Sequence, residues 1–190
     1  METVCIETAR LRLRNLRDED LPALARHRCD ATALRYIGEP MPADEVAVHI
    51  ARHRDGWSRL DGQALQLTVE VRDTAAIGEV MLRDLNTQHR QAEIGIALDP
   101  AWHGHGYGVE AIVGLLSYAF DDVGLHRIVG YSDVENPAVA IALQTGLRME
   151  GRLRHNRFRD GQWRDEYLLA IIADDWPAVR ERHRHHLPTA

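Results

Sequence analysis

Residues 98–108 read LDPAWHGHGYG, with glycines on alternate positions at Gly104, Gly106 and Gly108. Glycine lets backbone approach a ligand closely and enter positive φ. Where such a segment opens a helix, its N–H groups and the helix dipole favour an anion, and a diphosphate fits that description. Glu110 falls in the first turn of the helix that follows, where its charge also suits the dipole. Alternating glycines also make plain strand-to-helix turns. The spacing matches neither a dinucleotide fingerprint nor a Walker A loop, which needs Lys followed by Ser or Thr. His103 and His105 are metal-ligating types, but one residue separates them and no third ligand accompanies them, so no metal is expected.

The elements that must position this segment follow from periodicity. Thr8–Leu16 alternates as a half-buried strand, with Leu11 and Leu13 opposed to Arg10, Arg12 and Arg14. Asp18 or Asp20 can cap a first helix that carries Pro22 in its first turn. Val46, Ile50, His53, Trp57 and Leu60 share one helical face, which predicts a second helix over Ala43–Leu60. Leu65–Val71 and Ile77–Leu85 read as a hairpin turned at Asp73-Thr74, and Ile94, Ile96 and Leu98 alternate up to Asp99-Pro100. A helix from the glycine segment buries Ala111, Ile112, Leu115, Leu116 and Ala119 and ends at Gly124. Ile128–Val134 is a strand, Pro137–Thr145 a short helix, and Leu147–Leu153 with Trp163–Ile172 a hairpin turned at Asp160-Gly161. A last helix starts at Asp174 and runs into a His-rich tail read as a solvated helix end. The order β-α-α-β-β-β-α-β-α-β-β-α predicts one mixed α/β domain with a central, mostly antiparallel sheet.

Composition narrows the function classes. The 190 residues suit one well-buried core. Net charge is 23 − 29 = −6, and all 23 cationic residues are arginine. An acidic chain without a basic stripe argues against a nucleic-acid partner, and the absence of lysine excludes Schiff-base chemistry by the chain's own side chains. No apolar run approaches the roughly 20 residues of a membrane span, and the beginning METVC lacks the basic stretch of a secretory signal, so the expectation is a cytoplasmic protein without a membrane partner. Cys5 and Cys29 are expected to be reduced thiols. Trp57, Trp102, Trp163 and Trp176 are expected to pack inside.

Residues 92–111, AEIGIALDPAWHGHGYGVEA, resemble the acyl-CoA loop of GNAT acetyltransferases. More narrowly they are similar to the RimJ/RimL-like branch, which holds ribosomal-protein N-terminal acetyltransferases and spermidine acetyltransferases. Ordered matches extend the resemblance along nearly the whole chain. They are TARLRLR at 8–14, LRYIG at 34–38, GLHRI at 124–128, ENPA at 135–138 with Gly146-Leu147, and the closing hairpin from Gly151 to Asp165.

The resemblance implies a GNAT fold over 1–190, with strands splayed at a CoA site, and an N-acetyltransferase using acetyl-CoA. Main-chain N–H groups of His103, Gly104, His105, Gly106, Tyr107 and Gly108 would cradle the diphosphate. Ile96, Ala97 and Leu98 would line the pantetheine like an added strand, and an N–H near Ala97 or Leu98 would polarise the acetyl carbonyl. Asn136 would meet the pantetheine or orient the following helix. Glu93 is the first candidate general base, directly or through water, with a solvated strand carboxylate as the bland alternative. Tyr131 and Asp133 are lesser candidates, and Glu39 is a candidate acceptor contact. Val139 and Leu143 stand where the branch often has a Ser or Tyr acid, and Arg157 stands where it sometimes has a carboxylate.

The acceptor is expected to be an amine, on a peptide N-terminus or a small molecule, attacking directly in a ternary complex. An α-amine of pKa about 8 is neutral near pH 7.4 at under about 1 kcal/mol, whereas an amine near 10.4 costs roughly 4 kcal/mol. A low-pKa amine is therefore favoured. A homodimer is the default assembly. The other reading is a non-catalytic CoA-binding sensor on the same fold.

Overall fold

A computed structural model describes residues 2–72 and 74–188. Its eight strands form one sheet in the order β1-β2-β3-β4-β5-β6-β8-β7. The strands are β1 (Cys5–Glu7), β2 (Leu11–Asn15), β3 (Leu65–Val71), β4 (Ala75–Asn86), β5 (Gln91–Leu98), β6 (Arg127–Asp133), β7 (Arg148–Arg159) and β8 (Gln162–Ile172). The helices are α1 (Leu21–Arg28), α2 (Ala43–His53), α3 (Tyr107–Ser117), α4 (Val139–Gln144) and α5 (Trp176–Arg182). Every neighbouring pair is antiparallel except β5 and β6. The sheet is thus the mixed, mostly antiparallel one that the alternating segments predict.

The core joins α3 to the strands it crosses. Leu11, Leu13, Leu67, Val69, Val80, Leu82, Ala111, Leu115, Leu116 and Ile128 are all buried in one cluster. A second, smaller cluster of Leu16, Leu24, Val46 and Ile50 holds α1 against α2. The opposite face of β4 is tied to these helices through a buried carboxylate. Glu79 lies 3.1 Å from His49 Nε2, 3.3 Å from His27 Nε2 and 3.2 Å from Gln66 Nε2, and accepts from Arg28. Burial alone would raise this carboxyl, but the hydrogen bonds and the Arg28 charge outweigh it and hold Glu79 well below the usual range.

Several local expectations differ from what is found. Of Thr8–Leu16 only Leu11–Asn15 is strand, because the Thr8 hydroxyl and N–H both bond Leu11 and turn the chain between β1 and β2. Asp20 stands at the N-cap of α1, but its side chain accepts no bond from that helix; it is buried and accepts two 2.8 Å bonds from Arg14 and one of 2.9 Å from Arg17 N–H. The second helix stops at His53, Gly56 takes φ 84°, and Trp57 is buried beyond the helix by a bridge to Glu2. Asp73 of the expected turn lies outside the described residues.

Trp102 is half-buried and Trp176 buried, but Trp163 is 57% exposed, set edge-on to Phe158 near the tip of the β7–β8 hairpin. The His-rich tail is docked rather than solvated: His183 Nε2 lies 2.9 Å from Gln144 O, and Ala9 N–H donates to His186 O. Both cysteines are free and exposed. Among the described residues, no helix is long and apolar enough to cross a membrane.

Candidate active site

The parallel pairing of β5 with β6 covers only three steps, Gln91 to Arg127, Ala92 to Ile128 and Glu93 to Val129. Beyond Glu93 the strands separate, while β5 continues to Leu98 and β6 to Asp133. The wedge leaves one edge of β5 without a strand partner. Which groups face it follows from the ladder on the other side. Asp99 N–H donates to Ile77 O at 2.8 Å, and the β4–β5 register is unbroken from Gly78 to Arg83. Antiparallel bonding alternates, so Ala97, Gly95 and Glu93 turn their main-chain groups to β4. Ile94, Ile96 and Leu98 turn theirs to the wedge. Of the two amides expected to polarise the acetyl carbonyl, that of Ala97 is directed to β4 and that of Leu98 to the wedge.

β5 ends in the glycine segment. Asp99 Oδ1 accepts from Ala101 N–H at 3.0 Å and fixes a single helical turn over Pro100–Trp102. Gly104 and Gly106 then take φ of 80° and 77°, and Gly106 is the cap of α3. Among the described residues, the N–H groups of Gly104, His105, Gly106, Tyr107, Gly108 and Val109 donate to no carbonyl or side chain. Six consecutive free donors at the opening of an apolar helix form an anion cradle, and the donor set fits a diphosphate. A β-carbon on Gly104 would meet nothing within 4 Å, and one on Gly106 only Arg10 at 3.5 Å, so the space in front of both is open. Gly108 faces inward, where a β-carbon would meet Ile141 at 2.9 Å. His103 and His105 turn their rings to the carbonyls of the segment itself, of Leu98 at 3.1 Å and of His103 at 2.8 Å.

Arg10 joins the cradle from outside the motif. Its Nη1 donates to His105 O at 3.0 Å, its guanidinium lies 4.6 Å from the Tyr107 ring centroid, and its Nε donates to Glu110 at 2.7 Å. Glu110 is fully buried and also accepts from Thr8 Oγ1 at 2.7 Å and Arg10 N–H at 2.6 Å. Burial pushes its carboxyl up, but these bonds and the Arg10 charge more than offset that, leaving it below the usual range. Glu110→Gln should cost about 1.5–3 kcal/mol of stability at pH 7, because charge-assisted bonds are lost inside the fold. The depressed carboxyl stabilises fully above its unfolded pKa and loses that contribution as pH falls through the folded value. The gap between the two proteins in denaturant midpoint should therefore narrow on acidification. A gap independent of pH would show that the carboxylate charge is not what ties α3 to β2.

The cleft below the cradle is lined by both splayed strands, by Tyr36 and Ile37, by Ala138, Val139 and Ile141, and by the β7–β8 hairpin. Glu93 is in it, facing the α1–α2 side and accepting from Arg83. Tyr131 lines it and is half-exposed. Asn136 lines it while also shaping the turn: Nδ2 donates to Ser132 Oγ at 3.0 Å, and Oδ1 accepts from Ala138 N–H at 3.0 Å. Asp133 does not line it and accepts instead from Glu135 N–H at 2.8 Å. Glu39 is exposed and off the lining, where Tyr36 and Ile37 stand in its place. Of the two positions lacking an acid, Val139 lines the cleft and Leu143 does not.

Arg83, Glu166 and Arg157 join Glu93 as the charged groups of the lining, and of these three the sequence singles out only Arg157. Glu166 is buried and accepts from Arg157 Nε at 2.7 Å and Asn156 Nδ2 at 2.6 Å. Arg83 is held more firmly protonated than a free arginine, chiefly by its hydrogen bond to Glu93 and with a contribution from Glu166. The two ion pairs therefore share one space.

A glycine cradle at a helix opening, beside strands that part at a cleft, is the arrangement of an acyl-CoA-dependent transferase. The acetyltransferase (GNAT) domain family matches residues 10–148, and the chain belongs to it and is an acetyltransferase. It is 29% identical over 173 residues to the uncharacterized N-acetyltransferase YnaD of Bacillus subtilis, covering 90% of this chain and 98% of that one. Its structure is similar to spermidine N-acetyltransferase from Vibrio cholerae in complex with CoA and spermine, with TM-score 0.78 and 28% identity over 89% of this chain and 99% of that one. Mycobacterium smegmatis RimJ in complex with CoA-disulfide shares the fold, with TM-score 0.80 and 24% identity over 98% and 96% of the two chains.

Proposed function

We propose that residues 1–190 act as one catalytic unit that moves acetyl from acetyl-CoA to an amine by direct attack in a ternary complex. The observation that carries the reading is the run of free N–H groups from Gly104 to Val109 at the head of α3, beside the open edge of β5. The diphosphate sits on that run, with Arg10 adding positive charge beside it. Pantetheine lies along the wedge and pairs with the main chain of Ile96 and Leu98 as an added strand would. The acetyl carbonyl then accepts from one of these N–H groups, which are fixed before the reaction begins and so stabilise the oxyanion without reorganisation.

The amine enters from the side of Tyr36, Ile37 and Tyr131. Glu93, on the same side, takes its proton directly or through water. The lone pair forms the C–N bond, the tetrahedral intermediate collapses, and the C–S bond breaks. The leaving thiolate is protonated within the cleft, whose hydroxyl side chains are those of Tyr36, Tyr131 and Ser132, because Val139 supplies no proton. Holding both reactants in line is the larger part of the effect.

Incubation with acetyl-CoA and a panel of α-amino peptides, amino acids, aminoglycosides and polyamines tests this by thiol release. Acceptor-dependent release with a matching acetylated product is expected. CoA binding without transfer to any amine would favour a CoA-sensing role instead.

A further inference from the structure

The acceptor side of the cleft holds two guanidiniums and two carboxylates whose hydrogen-bonding capacity is unequally used. Both oxygens of Glu166 are taken, one by Arg157 Nε at 2.7 Å and one by Asn156 Nδ2 at 2.6 Å. Arg157 donates through Nε alone, so among the described residues its two terminal amino groups have no protein acceptor. Arg83 donates through Nη2 to Glu93 Oε1, while its Nε is buried without a hydrogen-bond partner. Glu93 Oε2 accepts from no protein donor among the described residues. What the cleft still offers is one carboxylate oxygen of Glu93 and, in the terminal amino groups of Arg157, an excess of guanidinium N–H. A polyamine supplies only cations and would leave that excess unmatched. A molecule with an amine and a carboxylate a few bonds apart would match both.

Resting on the acetyl-transfer reading above, we propose that the acceptor is an amino carboxylate, its amine directed to Glu93 and its carboxylate held by Arg157 beside Arg83. The planar guanidinium pairs with a carboxylate through two parallel bonds, which makes Arg157 a specificity-determining residue. Two sources supply this chemistry. A free α-amino acid carries its own carboxylate, and a peptide can present an acidic side chain on its first residue.

The test uses the unaltered protein and matched acceptors, with kcat/KM read by thiol release. One arm compares leucine with leucinamide and glutamate with its diamide. The other compares peptide amides beginning with Glu or Asp with those beginning with Gln or Asn. In at least one arm the acid should exceed its amide by roughly ten- to a hundred-fold, the worth of a charge-assisted bidentate pair. The arm in which this occurs identifies the source. In Arg157→Gln the preference should fall to about two-fold or less with CoA affinity unchanged, and Arg157→Lys should recover part of it. Acid and amide equal in both arms, spermidine preferred over every carboxylate, or a preference retained in folded Arg157→Gln would each overturn the proposal. If Arg157→Gln does not fold, the acid-to-amide ratio of the unaltered protein decides alone. If CoA binds and no amine of any kind is acetylated, the transfer reading fails first and this inference falls with it.

Discussion

Gly106→Val should weaken CoA binding by roughly a thousand-fold while leaving a folded protein. Gly106 caps α3 at φ 77°, a conformation a β-branched residue enters only with strain of about 1–3 kcal/mol. Space is not the obstacle, since a β-carbon there meets nothing closer than Arg10 at 3.5 Å. The segment relieves the strain by rotating, and rotation swings the N–H groups on either side away from a common anion. Losing two charge-assisted bonds at about 1.5–3 kcal/mol each gives the expected factor. The fold should survive because residues 103–106 are exposed and the apolar stripe of α3 begins after them. A melting temperature lowered by about 2–10 °C would match the strain alone. Calorimetric titration with CoA reads the affinity, and an unchanged value in a folded variant would remove the cradle from the argument.

Glu93→Gln should lower kcat by about 100- to 10,000-fold near pH 7, the span expected when a positioned general base is lost. Glutamine keeps the shape of the side chain but takes no proton, and it leaves Arg83 without its carboxylate. The loss should fall on kcat, with CoA affinity within about two-fold, because Glu93 lies at the acceptor side of the cleft and away from the cradle. The deficit should also shrink as pH rises and the amine loses its proton unaided. A loss under about three-fold, or one that does not vary with pH, would mean that the proton leaves by another route and that Glu93 serves only to hold Arg83.

Much of this molecule is legible in its sequence for a physical reason. Strand alternation at Leu65–Val71 and Ile94–Leu98, and the stripe from Ala111 to Ala119, are local patterns that the buried face enforces. The glycine segment is legible because positive φ at Gly104 and Gly106 admits few other residues. Failures occur where distant contacts decide. Val46 to Leu60 keeps helical spacing, yet the helix ends at His53 because Trp57 is buried by pairing with Glu2, a partner 55 positions away. Trp163 resembles a core residue by type but sits exposed near a hairpin tip.

The acceptor side of the cleft was the least legible. Glu93, Arg83, Glu166 and Arg157 meet only because the sheet order sets β8 and β7 beyond β6. Arg10 reaches the cradle through Glu110, 100 positions along the chain. No local spacing announces either meeting. The pairing of Arg157 with a carboxylate from the opposite strand also shows why a one-position reading of that site falls short. A carboxylate does stand beside position 157, but it belongs to Glu166.

The most direct measurement is a crystal structure of the protein grown with CoA. Diphosphate oxygens are expected about 2.7–3.2 Å from main-chain nitrogens within Gly104–Val109, with pantetheine between β5 and β6. A diphosphate bound elsewhere, or a wedge closed by strand pairing beyond Glu93 and Val129, would contradict this placement.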